Sequence, residues 1–112
     1  MRSRVKRWGV EMHVDRCDAY EVKLLSIVPG KSTSFHHHDM KRETIIVISG
    51  MLTIQWDVHR FTMHGPGSFV VIPINRRHAM LSTVGCTYAE CSTPDPNDSD
   101  SVRDGGDTEF VG

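Results

Sequence analysis

The chain has 112 residues, 38% of them hydrophobic, and a formal charge of −1 at pH 7. That length suits one domain around one core, and the near-neutral charge excludes a broad basic face for nucleic acid. No apolar run approaches the ~20 residues of a membrane-spanning helix. The opening MRSRVKRWG is basic but lacks the apolar stretch of a secretion signal, and it reads as a solvated arm. Strand candidates then follow one another: 9–14, 20–28, 32–37, 43–49, 51–56, 60–63, 68–72, 78–83 and 87–92. They are short, rich in β-branched residues, and punctuated by turns at Pro29-Gly30, His64-Gly65-Pro66-Gly67 and Val84-Gly85. No long helical period interrupts them. The chain reads as an all-β, closed architecture over residues 1–92, followed by a polar, Asp-rich tail over 93–112 that is loosely draped or disordered. The alternative for the tail is that Arg103 or an Asp folds back over the barrel mouth.

The chemistry concentrates between Gly30 and Gly50. There the sequence spells Gly30-x5-His36-x-His38-x4-Glu43-x6-Gly50, and later Gly67-x5-Pro73-x4-His78. Residues two apart on a strand point to one face, so His36 and His38 reach a common point while His37 looks away. Asp39 to Arg42 reads as a turn, and a strand folding back from it brings Glu43 near the two imidazoles. His78 begins or enters a further strand after the Pro73-Ile74-Asn75 turn. Three imidazoles and one carboxylate suit Zn, Mn, Fe, Ni or Co, and ligand softness does not choose among these divalent ions.

This pattern resembles both signature motifs of the cupin superfamily, the small double-stranded β-helices also called RmlC-like jelly-roll barrels. The resemblance implies a metal held by His36, His38, Glu43 and His78. Asn75 stands where the family carries Gly, and Asn tolerates the left-handed conformation better than most residues. Ser82 replaces the family's trailing Asn.

A narrower resemblance runs from about Trp8 to Arg103. KRWGVEMHV, YEVKLLSIVPGKSTSFHHH and ECSTPDPNDSDSVRD are similar to passages of the cupin domain of type II mannose-6-phosphate isomerases. The matching tail residues are Glu90, Ser92, Thr93, Pro94, Asp98 or Asp100, and Arg103. Lys41 sits where that family has Arg. The resemblance implies interconversion of mannose 6-phosphate and fructose 6-phosphate, or action on a related sugar phosphate. An Fe(II)-dependent dioxygenase and a non-catalytic sugar- or small-ligand-binding cupin are the alternatives.

An aldose–ketose isomerase needs a base within reach of the migrating proton and a cation for the phosphate. Lys41, Arg76 and Glu90 are the residues expected to carry catalysis, Glu90 as base or supporting carboxylate. Lys23, Arg42 and Arg77 are further cation candidates. Alternation from His78 puts Arg76 on the ligand side and Arg77 outside. His59 and His64 read as exposed turn residues, and Trp8, Trp56 and Phe35 as packing residues. Cys17, Cys86 and Cys91 lack CxxC spacing and read as reduced thiols in a cytoplasmic protein. The expected partners are a small-molecule substrate and a second copy in a homodimer, with no nucleic acid and no membrane.

Overall fold

The computed structural model describes residues 2–94 and the backbone of Ser101–Arg103. The described residues are strands and turns without a helix: β1 (Arg2–Lys6), β2 (Gly9–Arg16), β3 (Glu21–Ile27), β4 (Lys31–Ser32), β5 (His36–His38), β6 (Glu43–Gly50), β7 (Leu52–Gln55), β8 (Phe61–His64), β9 (Phe69–Ile72), β10 (Ala79–Ser82), β11 (Cys86–Ser92) and β12 (Ser101–Arg103). They form a six-stranded sheet ordered β1-β2-β3-β11-β6-β9, a four-stranded sheet ordered β4-β10-β7-β8, and a β12-β5 pair.

Period-two patterning builds the interior. Along β3 the buried positions are Glu21, Lys23, Leu25 and Ile27; along β11, Cys86, Tyr88, Glu90 and Ser92; along β6, Glu43, Ile45 and Val47. Register aligns them by chemistry. Leu25 faces Tyr88, which faces Val47, and these belong to a core with Trp8, Ile27, Leu52, Ile54, Ile72, Met80 and Cys86. Farther along the same strands Lys23 faces Glu90, and Glu21 faces Ser92, which faces Glu43. The barrel is therefore apolar at one end and ionisable at the other. Burying the ionisable end would be costly unless its groups were paired or served a ligand.

Two glycines allow the strands to close. A Cβ on Gly9 would lie 1.8 Å from the Ser26 carbonyl oxygen, and one on Gly50 would lie 2.0 Å from that of Gly85. Gly50 also has φ +77°, where side chains are strained.

The structure departs from the sequence reading in several places. The basic arm is instead an edge strand, with Arg2–Lys6 in register against 9–13. Its row of cations is a common protection for an exposed sheet edge. The expected strand over 32–37 divides into β4 and β5, because the Thr33 hydroxyl takes over ladder bonds. It accepts the Met80 N–H at 2.9 Å and donates to the Ser34 carbonyl at 3.2 Å. The ladder of β10 starts at Ala79, and His78 forms an isolated bridge with His36. β5 and β6 do not form a hairpin, since β6 pairs with β11 and β9. His64 ends a strand, half-buried, with Nε2 2.8 Å from the Thr62 hydroxyl, rather than lying in an exposed turn. Phe35 is only half-buried and lies outside the core cluster, under the Arg77 guanidinium.

Candidate metal centre

His36 and His78 meet because their backbones are paired. Each amide N–H donates to the other residue's carbonyl at 2.9 Å, so the two residues are directly opposed and their side chains share a face. His38 joins them from the same face of β5, two residues on. The ring centroids are 4.5 Å apart for His36–His78, 5.1 Å for His36–His38 and 6.1 Å for His38–His78. One ligating atom from each of the three lies within 4.8 Å of the others.

The turn before His78 sets its approach. Asn75 has φ 65°, the left-handed conformation for which the family uses Gly. Its N–H donates to the His38 carbonyl at 2.7 Å, tying this turn to β5.

Ring orientation is fixed from behind. The Nδ1 of His36 lies 2.7 Å from the Ser34 carbonyl and that of His78 lies 2.8 Å from the Arg76 carbonyl. A carbonyl can only accept, so the proton is on Nδ1 and Nε2 presents its lone pair, as at a metal-ligating histidine. Burial, reinforced for His36 by the neighbouring His78, lowers both pKa values to about 4. Both rings are neutral at pH 7, the state that ligates.

Glu43 supplies an oxygen donor. It is buried, and its Oε1 lies 3.0 Å from His38 Nε2 and 3.9 Å from His78 Nε2. That oxygen has no hydrogen-bond partner among the described residues. Three imidazoles, with a buried carboxylate oxygen without a hydrogen bond beside those of His38 and His78, are a donor set a divalent cation satisfies. The residues present fit the ion that the sequence motif implies.

Behind this cluster stand Lys41 and Glu90, both buried, with Nζ and Oε2 3.7 Å apart. Burial pushes Glu90 up to about 7; the Glu43 carboxylate adds to the rise, and Lys41 and Lys23 oppose it. Arg76 enters through its backbone, whose carbonyl holds His78, while its guanidinium carbon sits 5.0 Å from the centre of the Trp56 ring. Arg77 is exposed, 5.2 Å above the Phe35 ring.

The structure thus brings Lys41 and Glu90 to the cluster of His36, His38, Glu43 and His78. It engages Lys23 elsewhere, between Glu11 at 3.2 Å and Glu21 at 3.5 Å. Burial alone would lower the Lys23 pKa, but the carboxylates of Glu90, Glu11 and Glu21 outweigh it and raise the value. Arg42 is exposed, and its backbone N–H donates to the Thr93 hydroxyl at 3.0 Å. From the tail, β12 pairs with β5, Ser101 opposite His38 and Arg103 opposite His36. Asp98, Asp100 and the Arg103 side chain lie outside the described residues. Glu11, His13, Glu21 and Ser92 are buried or half-buried polar residues at this end that sequence reasoning did not single out as site residues. The signal for Glu21 was available, because it shares the odd-numbered face of β3 with Leu25 and Ile27.

Comparison with known proteins agrees with this architecture. Residues 1–88 match the family described as "Mannose-6-phosphate isomerase C-terminal". A mannose-1-phosphate guanylyltransferase from Escherichia coli (strain K12) is 27% identical over 75 residues, which are 65% of this chain and 15% of that protein. The chain thus spans about one seventh of that relative's length. Among solved structures, KdgF from Halomonas sp. superposes with a TM-score of 0.77 at 14% identity, covering 88% of this chain and 92% of that one. A sugar phosphate isomerase of the cupin superfamily from Silicibacter pomeroyi gives 0.68 at 19% identity, covering 78% and 60%. At these identities the structural likeness establishes the fold, a cupin double-stranded β-helix.

Proposed function

Since the chain belongs to the mannose-6-phosphate isomerase C-terminal family, we propose that it is a metal-dependent sugar-phosphate isomerase interconverting mannose 6-phosphate and fructose 6-phosphate, or acting on a related sugar phosphate. The observation that carries this reading is Glu90, a buried carboxyl with a pKa raised by burial, paired with Lys41 behind the three-imidazole cluster. A base poised near the operating pH is what proton transfer between neighbouring carbons requires. Ionised Glu90 takes the proton from the carbon next to the aldehyde and returns it to the aldehyde carbon, while the hydroxyl proton passes between the two oxygens. Lys41, 3.7 Å from Glu90, stabilises the ionised form. His36, His38, Glu43 and His78 would hold a divalent ion, which would supply Lewis acidity at the carbonyl.

The phosphate needs a cation not already committed to carboxylates. Arg76 suits this role, because its fork geometry matches phosphate and Trp56 braces its guanidinium. The test is proton NMR of mannose 6-phosphate with protein loaded separately with Zn, Mn, Co, Ni or anaerobic Fe(II), run beside His38→Ala. Fructose 6-phosphate is expected with the intact protein and not with the variant. Absence of conversion with every metal would overturn the isomerase reading for this substrate and favour oxygenase chemistry or ligand binding.

We place the protein in the reducing cytoplasm, a setting that suits the free thiols of Cys17, Cys86 and Cys91. No helix among the described residues is long and apolar enough to cross a membrane.

We also propose a homodimer formed through the outer face of the six-stranded sheet. In register across that face run Met12, Leu24, Ala89, Ile46 and Phe69. Phe69 is 73% exposed and Ile48, on the same side of β6, is 51% exposed. Six strands about 4.8 Å apart, each of about seven residues, span roughly 600 Å². That approaches the ~800 Å² per partner of a stable interface. Sedimentation should show a dimer at micromolar concentration and a folded monomer for Phe69→Lys. A wild-type monomer at all concentrations would overturn the proposal.

A further inference from the structure

Away from the imidazoles, the inner face of the barrel carries a second set of polar groups. Glu21 and Glu43 lie on either side of Ser92 in one row across β3, β11 and β6. In the adjoining row His13 faces Lys23, which faces Glu90. Glu21 is 1% exposed and Ser92 6%. Both Glu21 carboxylate oxygens, the Ser92 hydroxyl and His13 Nε2 are buried with no hydrogen-bond partner among the described residues.

Their charges are balanced, but their hydrogen-bonding capacity is not used. Lys23 Nζ stands 3.5 Å from Glu21 Oε1, Arg16 Nε stands 3.6 Å from Oε2, and His13 Nε2 stands 3.6 Å from Glu11 Oε2. An unmade hydrogen bond at a buried polar group costs about 1–3 kcal/mol, and native folds hold few such groups. Here four atoms of three residues cluster on adjoining register positions, beside the ligand carboxylate. Strand spacing sets the row from Glu21 to Glu43 at roughly 10 Å.

We propose that Glu21 and Ser92, flanked by His13, form a hydroxyl-recognition subsite for the polyol part of a sugar-type substrate. The polyol lies along this row while its reacting end lies at the imidazole cluster; this placement rests on the isomerase reading above. Substrate hydroxyls donate to the Glu21 carboxylate, and the Ser92 hydroxyl donates to, or accepts from, the next hydroxyl along the carbon chain. Lys23 and Arg16 hold the carboxylate without filling its acceptor positions. A site built to hydrogen-bond a hydroxyl strongly rejects the analogue lacking it, so these residues set which sugars are accepted.

The test is calorimetric titration of the metal-loaded full chain with mannose 6-phosphate, its deoxy analogues, free mannitol and inorganic phosphate. Glu21→Gln and Ser92→Ala are compared with wild type. Each variant should weaken mannose 6-phosphate at least about tenfold, equivalent to about 1.4 kcal/mol, and narrow the preference over the deoxy analogues. Metal stoichiometry and affinity for inorganic phosphate should not change. If mannitol binds in a Glu21-dependent way while mannose 6-phosphate is neither preferred nor converted, the subsite stands and the isomerase reading falls. The subsite is overturned if both variants bind every hydroxylated probe as wild type does. It is also overturned if wild type binds none of them, leaving these groups to ordered water, or if metal and phosphate binding fall in parallel with sugar binding.

Discussion

Alanine at His78 or His38 should lower divalent-metal affinity on the order of 100-fold or more, whereas alanine at His37 should leave it within about twofold. Loss of residues that merely orient a ligand costs 10–100-fold, so loss of a ligand sits at or beyond the top of that range. The contrast with His37 is the sharper part, because His37 and His38 are adjacent in sequence and differ in the face they present. His37 Nε2 lies 3.2 Å from the exposed Asp39 carboxylate, away from the cluster. Titration with Zn or Co(II) at pH 7.5 measures all three variants. An equal loss at His37 would sink the assignment of ligands by strand alternation. The pH dependence carries a second expectation. His36 and His78 have pKa values lowered from 6.5 to about 4, so protons compete for their ring nitrogens only as pH falls toward 4. Their contribution to affinity should hold from pH 8 to about 5, rather than fading from 6.5 as it would for solvated histidines.

The ligand strand was legible because its signal is local. His36-x-His38 states a geometry by itself once a strand is assumed, and TIIVIS states the strand that carries Glu43. The partner of that strand was not legible. Sequence proximity suggested a β5–β6 hairpin, yet Glu43 reaches His38 from a different sheet. Pairing of β6 with β11 and β9 buries Ile45 and Val47 against Leu25, Tyr88 and Ile72, and non-local burial of this kind outweighs the short loop. β1 was missed because its residues are charged, a composition that marks solvent and sheet edges alike. The ionisable end of the barrel was legible in part: Lys23, Lys41, Glu43 and Glu90 stand out as candidates, and Glu21 was passed over. Glu21 looks like a surface residue in isolation. Its alternation with Leu25 and Ile27 points it inward, and the register against Ser92 shows what it faces.

That register also underlies the other large expected effect. Lys41→Met should destabilise the metal-free protein by up to about 1.4 kcal/mol more at pH 8 than at pH 5.5, the worth of one pH unit above the Glu90 pKa of about 7. Glu90 is held up from 4.5 to about 7 by burial and by Glu43, against the pull of Lys41 and Lys23. Between pH 4.5 and 7 folded Glu90 keeps a proton that the unfolded chain releases, so its contribution to stability falls as pH rises through that window. Without Lys41 the folded pKa rises further, and the falling window extends into the alkaline range. At pH 5.5 the carboxyl is protonated with or without Lys41, and little is lost. Urea unfolding at the two pH values measures the difference. Lys41→Met combined with Glu90→Leu should recover most of the loss at pH 8, because no charge is then left buried without its partner. A pH-independent loss in the single variant, or no recovery in the double variant, would mean that Lys41 acts through packing of its aliphatic stem. Glu90 would then hold its raised pKa without Lys41 as its counter-charge, and the proposed base would lose the group that lets it ionise inside the barrel.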